Sequence, residues 1–293
     1  GADNKTLESG MRRGDFDPRR VAVATGHHAD LSRRGWMIRV SPQGAIEPVA
    51  SGFRQPAGVG LSPDGVVFVT DNQGDFKAAC GLLHVEDGDF HGHASSLKWQ
   101  SGFAVETATL ESLWRRSKTP AVVFPHGVMG ISAGEPVWDT SAGRFGPFAG
   151  QVFVADFGRI VVRSSLERVA GVWQGVCFPF LGRNDRAPHV TGDRLMGGTL
   201  HAAFAPDGAL WLAATAGWGA GEDGLQRVVW AGEAAPELRD VRVVDDGFRI
   251  EFTHPMDPVR LADTARYQVG RFRYYYQPIY GSPRVDETTV PLR

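Results

Sequence analysis

Apolar and polar residues alternate over short stretches of this chain and almost nowhere follow a helical spacing. "GVVFVTD" (Gly65 to Asp71) places Val-Phe-Val between a glycine and an aspartate, and "GQVFVAD" (Gly150 to Asp156) repeats it in register. "GALWLAA" (Gly208 to Ala214) keeps the phase, with Trp in the place of Phe. Short apolar, β-branched and aromatic runs bounded by turn residues predict strands. "SPDG" at Ser62 and "APDG" at Ala205 precede two of them, and Asp-Gly supplies the positive φ that tight turns require. Gly65 and Gly150 stand about two units of 40–45 residues apart. A weaker hairpin, "WMIRVSPQGAIEPV" (Trp36 to Val49), comes before them. The spacing breaks between Gly150 and Gly208, where "LGRNDRAPHVTGDRLMGG" reads as an insertion. Only "VETATLESLWRR" (Val105 to Arg116) has helical spacing, at Leu110, Leu113 and Trp114, which predicts one short helix or turn.

Repeats of this length built from short strands predict an all-β chain of β-propeller type. About four blades of an expected six are read over residues 1–235, with the N-terminal blades expected to lie upstream. Past Pro236 the pattern changes. "RDVRVVDDGFRIEFTHPMDP" alternates around an Asp-Gly turn, and "YQVGRFRYYYQPIYGSP" follows as another strand-rich stretch. Residues 236–293 are read as the start of a small, incomplete β-sandwich. The chain opens without Met and stops without a closing element, and is read as a piece of a longer polypeptide. Tyr274, Tyr275 and Tyr276 could stack on carbohydrate or pack as sheet.

With 293 residues, 42% of them hydrophobic, the chain can bury a substantial core. Its formal net charge of −2 argues against a nucleic-acid partner held by phosphate contacts. The basic stretch "RRGDFDPRR" (Arg12 to Arg20) contains two Asp and reads as a solvated loop. Cys80 and Cys177 lack metal or haem spacing and are expected to be buried and unpaired. No apolar run approaches the roughly 20 residues of a membrane span, and the opening residues do not read as a signal peptide.

One hairpin carries more than strand signals. "FRQP" precedes "SPDGVVFVTD" and "NQGD" follows it. In a propeller, the loops at the ends of each blade's inner strands converge on one face. Arg54 and Gln55 would enter that face, and Asn72, Gln73, Gly74 and Asp75 would leave beside it. A guanidinium holds carboxylates bidentately, amides offer both donors and acceptors, and backbone carbonyls suit Ca²⁺. The bland alternative is a turn whose polar groups satisfy one another.

"GFRQPAGVGLSPDGVVFVTDNQGD" with "LLHVEDGDFHGH" resembles the central signature of the soluble quinoprotein glucose/sorbosone dehydrogenase family. "GRFGPFAGQVFVADFGRIVVRSSLE" and "AFAPDGALWLAATAGWG" resemble later blades of it. The likeness covers about Trp36 to Trp230 and is strongest from Gly52 to His93. It is nearest a divergent secreted branch of PQQ-dependent sugar dehydrogenase-like proteins. The resemblance implies a six-bladed propeller holding pyrroloquinoline quinone (PQQ) and calcium, a sugar or polyol substrate, a cytochrome c electron acceptor, and a periplasmic or extracellular location. It places Arg54 on a quinone-contacting Arg, Gln55 on a neighbouring Asn, and Gln73 on a cofactor-side Gln. Gly74 and Asp75 fall on the backbone calcium ligands. Asp75 departs from the family's Pro, the acidic pair that follows is replaced around "ACGLLH", and no equivalent of the family's catalytic His is found.

Among the remaining residues, His126 in "VFPHGVMG" could serve as the base for alcohol oxidation or be structural. Asn72 and Trp218, the latter in "AGWGAG", could contact the cofactor. His91 and His93 form a weak metal pattern. Arg227 is expected to pair with an Asp of a neighbouring blade. Three functions compete: a PQQ-dependent sugar or alcohol dehydrogenase, a non-catalytic carbohydrate- or protein-binding propeller, and a calcium-dependent lactonase-type hydrolase using Asp71, Asn72 and Asp156.

Overall fold

The computed structural model describes residues 33–182, 195–216 and 222–292. The alternating stretches fold as strands. β1 (Trp36–Val40) and β2 (Ile46–Ser51) form an antiparallel pair. β3 (Pro56–Leu61), β4 (Val67–Asp71), β5 (Cys80–His84) and β6 (Val122–Phe124) make a four-stranded antiparallel sheet in chain order. β7 (Ala133–Trp138), β8 (Val152–Asp156), β9 (Ile160–Val169) and β10 (Val172–Gly182) make another. β11 (Thr199–Phe204), β12 (Leu210–Ala214) and β13 (Gly224–Val228) make a three-stranded sheet. The three repeated sequences are therefore equivalent strands: β4, β8 and β12 each come second in their sheet. The inserted stretch lies largely in residues 183–194, outside the described residues.

The Val-Phe-Val pattern follows from burial on both faces, which leaves no room for polar alternation. Val69 faces a cluster with Ala50, Phe53 and Leu83, next to the β1–β2 pair. Phe68 points the other way, into a cluster where Leu82 and Phe124 meet Trp138, Val152 and Val154 of the next sheet. Phe153 then turns to the far side and packs with Phe145, Phe148, Leu210 and Leu212. Each such side chain contributes about 1.5–3 kcal/mol by leaving water.

The first strands of the three sheets crowd together. A Cβ on Gly58 of β3 would lie 2.3 Å from Glu135 Cα of β7, and one on Gly134 of β7 would lie 2.1 Å from the Leu200 carbonyl of β11. Only glycine permits that approach. Thr70 Oγ1 ties the first pair further, donating to the Gly134 carbonyl at 2.6 Å. Successive antiparallel sheets with their first strands gathered side by side make a partial β-propeller-like arrangement, and none of the described sheets closes on itself.

Between β5 and β6 the chain makes an excursion containing a 3₁₀ turn (Ala94–Trp99) and the helix α1 (Leu110–Arg116). Thr109 caps α1 reciprocally with Ser112. This is the short helix that the spacing of Leu110 and Leu113 predicts, and buried Leu113 packs with Phe76, Phe90, Leu97 and Tyr276.

The stretch expected to begin a sandwich forms two separate hairpins. β14 (Leu238–Val244) pairs with β15 (Gly247–Phe252), and β16 (Val269–Arg273) pairs with β17 (Val285–Val290). The short helix α2 (Pro258–Ala262) lies between them. Arg163 of β9 fastens the first hairpin. Its guanidinium is fully buried between the rings of Phe148 and Phe178, at 4.5 and 4.4 Å. It donates to the Gln151 side chain and to the carbonyls of Arg239 and Leu238. Arg227 pairs with Asp207 at 2.7 Å within its own sheet, so the expected inter-blade pair is corrected to a local one.

Both cysteines are free, Cys80 buried and Cys177 partly buried. Burial pushes the Cys80 thiol up to about 11. Among the described residues no helix is long and apolar enough to cross a membrane.

Candidate functional site

The β3–β4 hairpin brings its polar ends together because antiparallel pairing sets Pro56 opposite Asp71. Asp71 anchors the arrangement. Its carboxylate accepts the backbone N–H of Arg54 at 3.0 Å, of Gln55 at 2.7 Å and of Asn72 at 3.1 Å, and the Lys77 ammonium lies 3.0 Å away. Arg54, Asn72, Gln73 and Asp75 are all buried, and Gln55 is half-buried.

Arg54 lies across Gly74, where an added Cβ would fall 1.9 Å from its Nε. That Nε faces Asp75 Oδ1 at 3.4 Å, and Nη1 donates to the Gln73 carbonyl and to Gln55 Oε1, both at 2.9 Å. The other Asp75 oxygen meets His93 Nε2 at 2.9 Å, and His93 Nδ1 meets Ser95 Oγ at 2.7 Å. Two cations, Arg54 and Lys77, thus face two carboxylates, Asp75 and Asp71. Buried charges persist when paired in this way.

The distant segment from Tyr276 to Gly281 covers the cluster. Phe76 N donates to the Gln277 carbonyl at 2.8 Å, and Gly281 N donates to the Gly74 carbonyl at 2.9 Å. Tyr280 pairs with Asp75 as an isolated bridge and sets its ring 5.2 Å from the Arg54 guanidinium carbon. Tyr276 donates its hydroxyl to the Gly92 carbonyl at 2.6 Å, and burial raises its pKa.

The structure therefore gathers Arg54, Gln55, Asn72, Gln73, Gly74 and Asp75 in one place. His126 sits in the turn leading to β7, at the end matching that of Arg54. It is exposed, and its charge is felt by Asp156. Trp218 lies outside the described residues. Sequence reasoning missed Lys77, Gln277 and Tyr280. "DFK" after Gln-Gly was the one local signal, since a Lys beside two Asp implies pairing, and nothing local points to residues some two hundred positions later. His93, weighed as a metal ligand, instead holds Asp75.

The Gly74 carbonyl does not fit calcium in this arrangement. The Gly74 carbonyl already accepts two N–H groups, from Lys77 at 3.1 Å and from Gly281. The Asp75 carboxylate is taken by Arg54 and His93. Among the described residues no three His, Cys, Asp or Glu side chains are placed to hold a metal. Arg54 Nε and Nη1 are likewise committed within the cluster. The candidate hydrolase ligands are similarly occupied. Asp156 accepts the amides of Ile131, Ser132 and Gly158 at 2.7–3.1 Å. Burial raises the pKa of Asp156, and those amides act against the rise. Asn72 donates to Ser132 Oγ at 3.3 Å.

No protein-family model matches the chain, and no curated protein does. Among solved structures it is similar to a Thermus thermophilus protein provisionally described as an oxidoreductase (glucose dehydrogenase). The identity is 18% over 67% of this chain and 52% of that one, with a TM-score of 0.40. It is also similar to the PQQ-bound form of aldose sugar dehydrogenase from Streptomyces coelicolor. There the identity is 15% over 70% of this chain and 55% of that one, with a TM-score of 0.43. The chain spans about half the length of these two proteins, and no residue role here rests on them.

Proposed function

We propose that this chain is a non-catalytic, ligand-binding segment of a β-propeller, with the Arg54–Asp75 cluster acting as a structural latch. One observation carries the reading: the groups that would receive a cofactor are already bonded to one another and to the 276–281 segment. A pre-formed site keeps some polar groups aimed at its ligand. Here the Gly74 carbonyl, the Asp75 carboxylate and the inner donors of Arg54 all have partners within the protein.

A second reading is a PQQ-dependent sugar dehydrogenase, in which a sugar hydroxyl carbon is oxidised by the quinone. The specific observation favouring it is the convergence of Arg54, Gln55, Asn72, Gln73 and Gly74 at one hairpin end, from which Asn72 reaches Ser132 in the loop before β7. In that reading Arg54 would exchange Asp75 for a ligand carboxylate, and a cytochrome c would be the electron acceptor. A periplasmic or extracellular location suits either reading.

Thermal unfolding of the full chain, alone and with PQQ, Ca²⁺ or both, separates them. A ligand that binds only the folded state raises the melting temperature by mass action. The latch reading expects no rise with any of the three additions. A rise that needs PQQ and disappears in Arg54→Ala would establish the dehydrogenase reading instead.

A further inference from the structure

Among the described residues β1 pairs with β2 alone. The N–H and C=O groups on its other edge therefore meet no strand, and an open edge invites one. Beside β1 lies an apolar groove of about 330 Å³, bounded by Trp36, Met37, Phe53, Ala57, Val59 and Val69. Val59 in the groove is 54% exposed, and Ile38 and Val40 of β1 are 43% and 57% exposed. A free edge beside an apolar floor is a seat for one more strand.

The chain itself carries a sequence that matches this seat. "VFVTDNQGD" supplies β4 and the turn after it, and "GLLHV" follows as β5. Upstream, "VAVATGHHAD" (residues 21–30) precedes "WMIRV" of β1 in the same way. Both stretches run from Val-x-Val through a polar connection with an Asp to an apolar strand, and the connections, 26–35 and 72–79, are of similar length. β4 meets β5 with Val69 opposite Leu83 and Thr70 opposite Leu82. The same register sets Val23 opposite Ile38 and Ala24 opposite Met37. Met37 packs with the Val69 cluster. By alternation, Ala22 and Ala24 would then lie over the groove, and Val21 and Val23 would join Ile38 and Val40 on the other face.

We propose that the groove is the docking surface for residues 21–25 of this same chain, added to the free edge of β1 in antiparallel register with Val23 opposite Ile38. The segment supplies backbone partners for β1 and apolar cover for Val59 and Ile38. Its short tether to β1 favours it over the same segment of a second copy, because a short linker holds its ends at an effective concentration on the order of millimolar. The seat uses none of the bonds that hold Arg54 and Asp75, so it does not depend on how that cluster is read.

Residues directly opposite in an antiparallel pair have Cα atoms about 4.5–5.5 Å apart, within disulfide reach. The full chain carrying Val23→Cys with Ile38→Cys should therefore close an intramolecular disulfide under mild oxidation, identified by peptide mapping. It should close about tenfold faster than the chain carrying Val23→Cys with Arg39→Cys, whose side chains leave opposite faces. Hydrogen exchange gives a second readout. Val23→Pro, which spoils strand pairing, should speed exchange of the β1 amides about tenfold while β4 and β8 keep their protection. The proposal is overturned if the two cysteine pairs close equally fast, or if β1 exchanges alike in the parent and in Val23→Pro. It is overturned too if the disulfide joins two chains, which would make a second copy the occupant.

Discussion

Asp71 ends β4 just as Asp156 ends β8, and each carboxylate gathers backbone N–H groups from the loop leading into the first strand of its own sheet. Asp71 takes Arg54 and Gln55, and Asp156 takes Ile131 and Ser132. The aspartate closing each repeated "Phe-Val-x-Asp" is thus a clip for the loop before the inner strand. The third repeat ends in Ala214 and has no such clip.

Asp156→Asn should destabilise the fold by about 2 kcal/mol, since an amide NH₂ would face donors that need an acceptor. Asp71→Asn should cost more, about 3–5 kcal/mol, because Lys77 would keep a buried charge without its partner. Urea denaturation of the two variants checks the order. Equal losses would mean that Lys77 adds nothing to the clip.

Gly74→Ala should displace the Arg54 guanidinium, since the new Cβ would overlap it. In an Arg54→Ala background the same change should cost far less. A double-mutant cycle should therefore give a coupling of at least about 1 kcal/mol. Additive losses would show that Gly74 is required for another reason.

Arg163→Met keeps an unbranched stem between Phe148 and Phe178 but removes the donors to Gln151 and to the carbonyls of Arg239 and Leu238. Burial lowers the Arg163 pKa, and the Glu237 carboxylate 3.6 Å away opposes that shift. Faster proteolysis within residues 236–252 is expected, with a loss of about 2–4 kcal/mol as those acceptors lose their partner. Unchanged cleavage there would show that β14 is held by its other contacts, which include Arg242 on Ser165 and Leu166.

His91 makes stability depend on pH. Its folded pKa lies far below the usual 6.5, so on acidification the unfolded chain takes up this proton first. The contribution is complete above about pH 6.5 and falls by up to about 1.4 kcal/mol per pH unit below it. His84, also lowered, by burial and then by Lys118, adds a slope of the same sign. Denaturant midpoints between pH 7 and 5 should flatten partly in His91→Phe. An unaltered slope would exclude His91 as its source.

Much of the fold was legible in the chain. The three Val-Phe-Val type repeats, the Asp-Gly turns and the Trp36 hairpin are local patterns, and all became strands in the expected places. The gathering of Arg54 and Gln55 with Asn72 to Asp75 was legible for the same reason, since they bracket one hairpin. The strands expected after Pro236 also formed, as two hairpins. Alternation specifies strands but not which sheet each joins, so β14–β15 and β16–β17 form separate pairs.

The sequence by itself determined the strands, their turns and the meeting of polar residues at one hairpin end, because alternation, turn chemistry and antiparallel register act over a few positions. Only the tertiary structure decided what those residues hold. His93 reached Asp75 through the excursion after β5, and Tyr280, Gln277 and Gly281 arrived from some two hundred residues away to cover Gly74 and Arg54. Whether a guanidinium or a carbonyl is open to a ligand depends on what long-range packing brings beside it, and local patterns do not encode that.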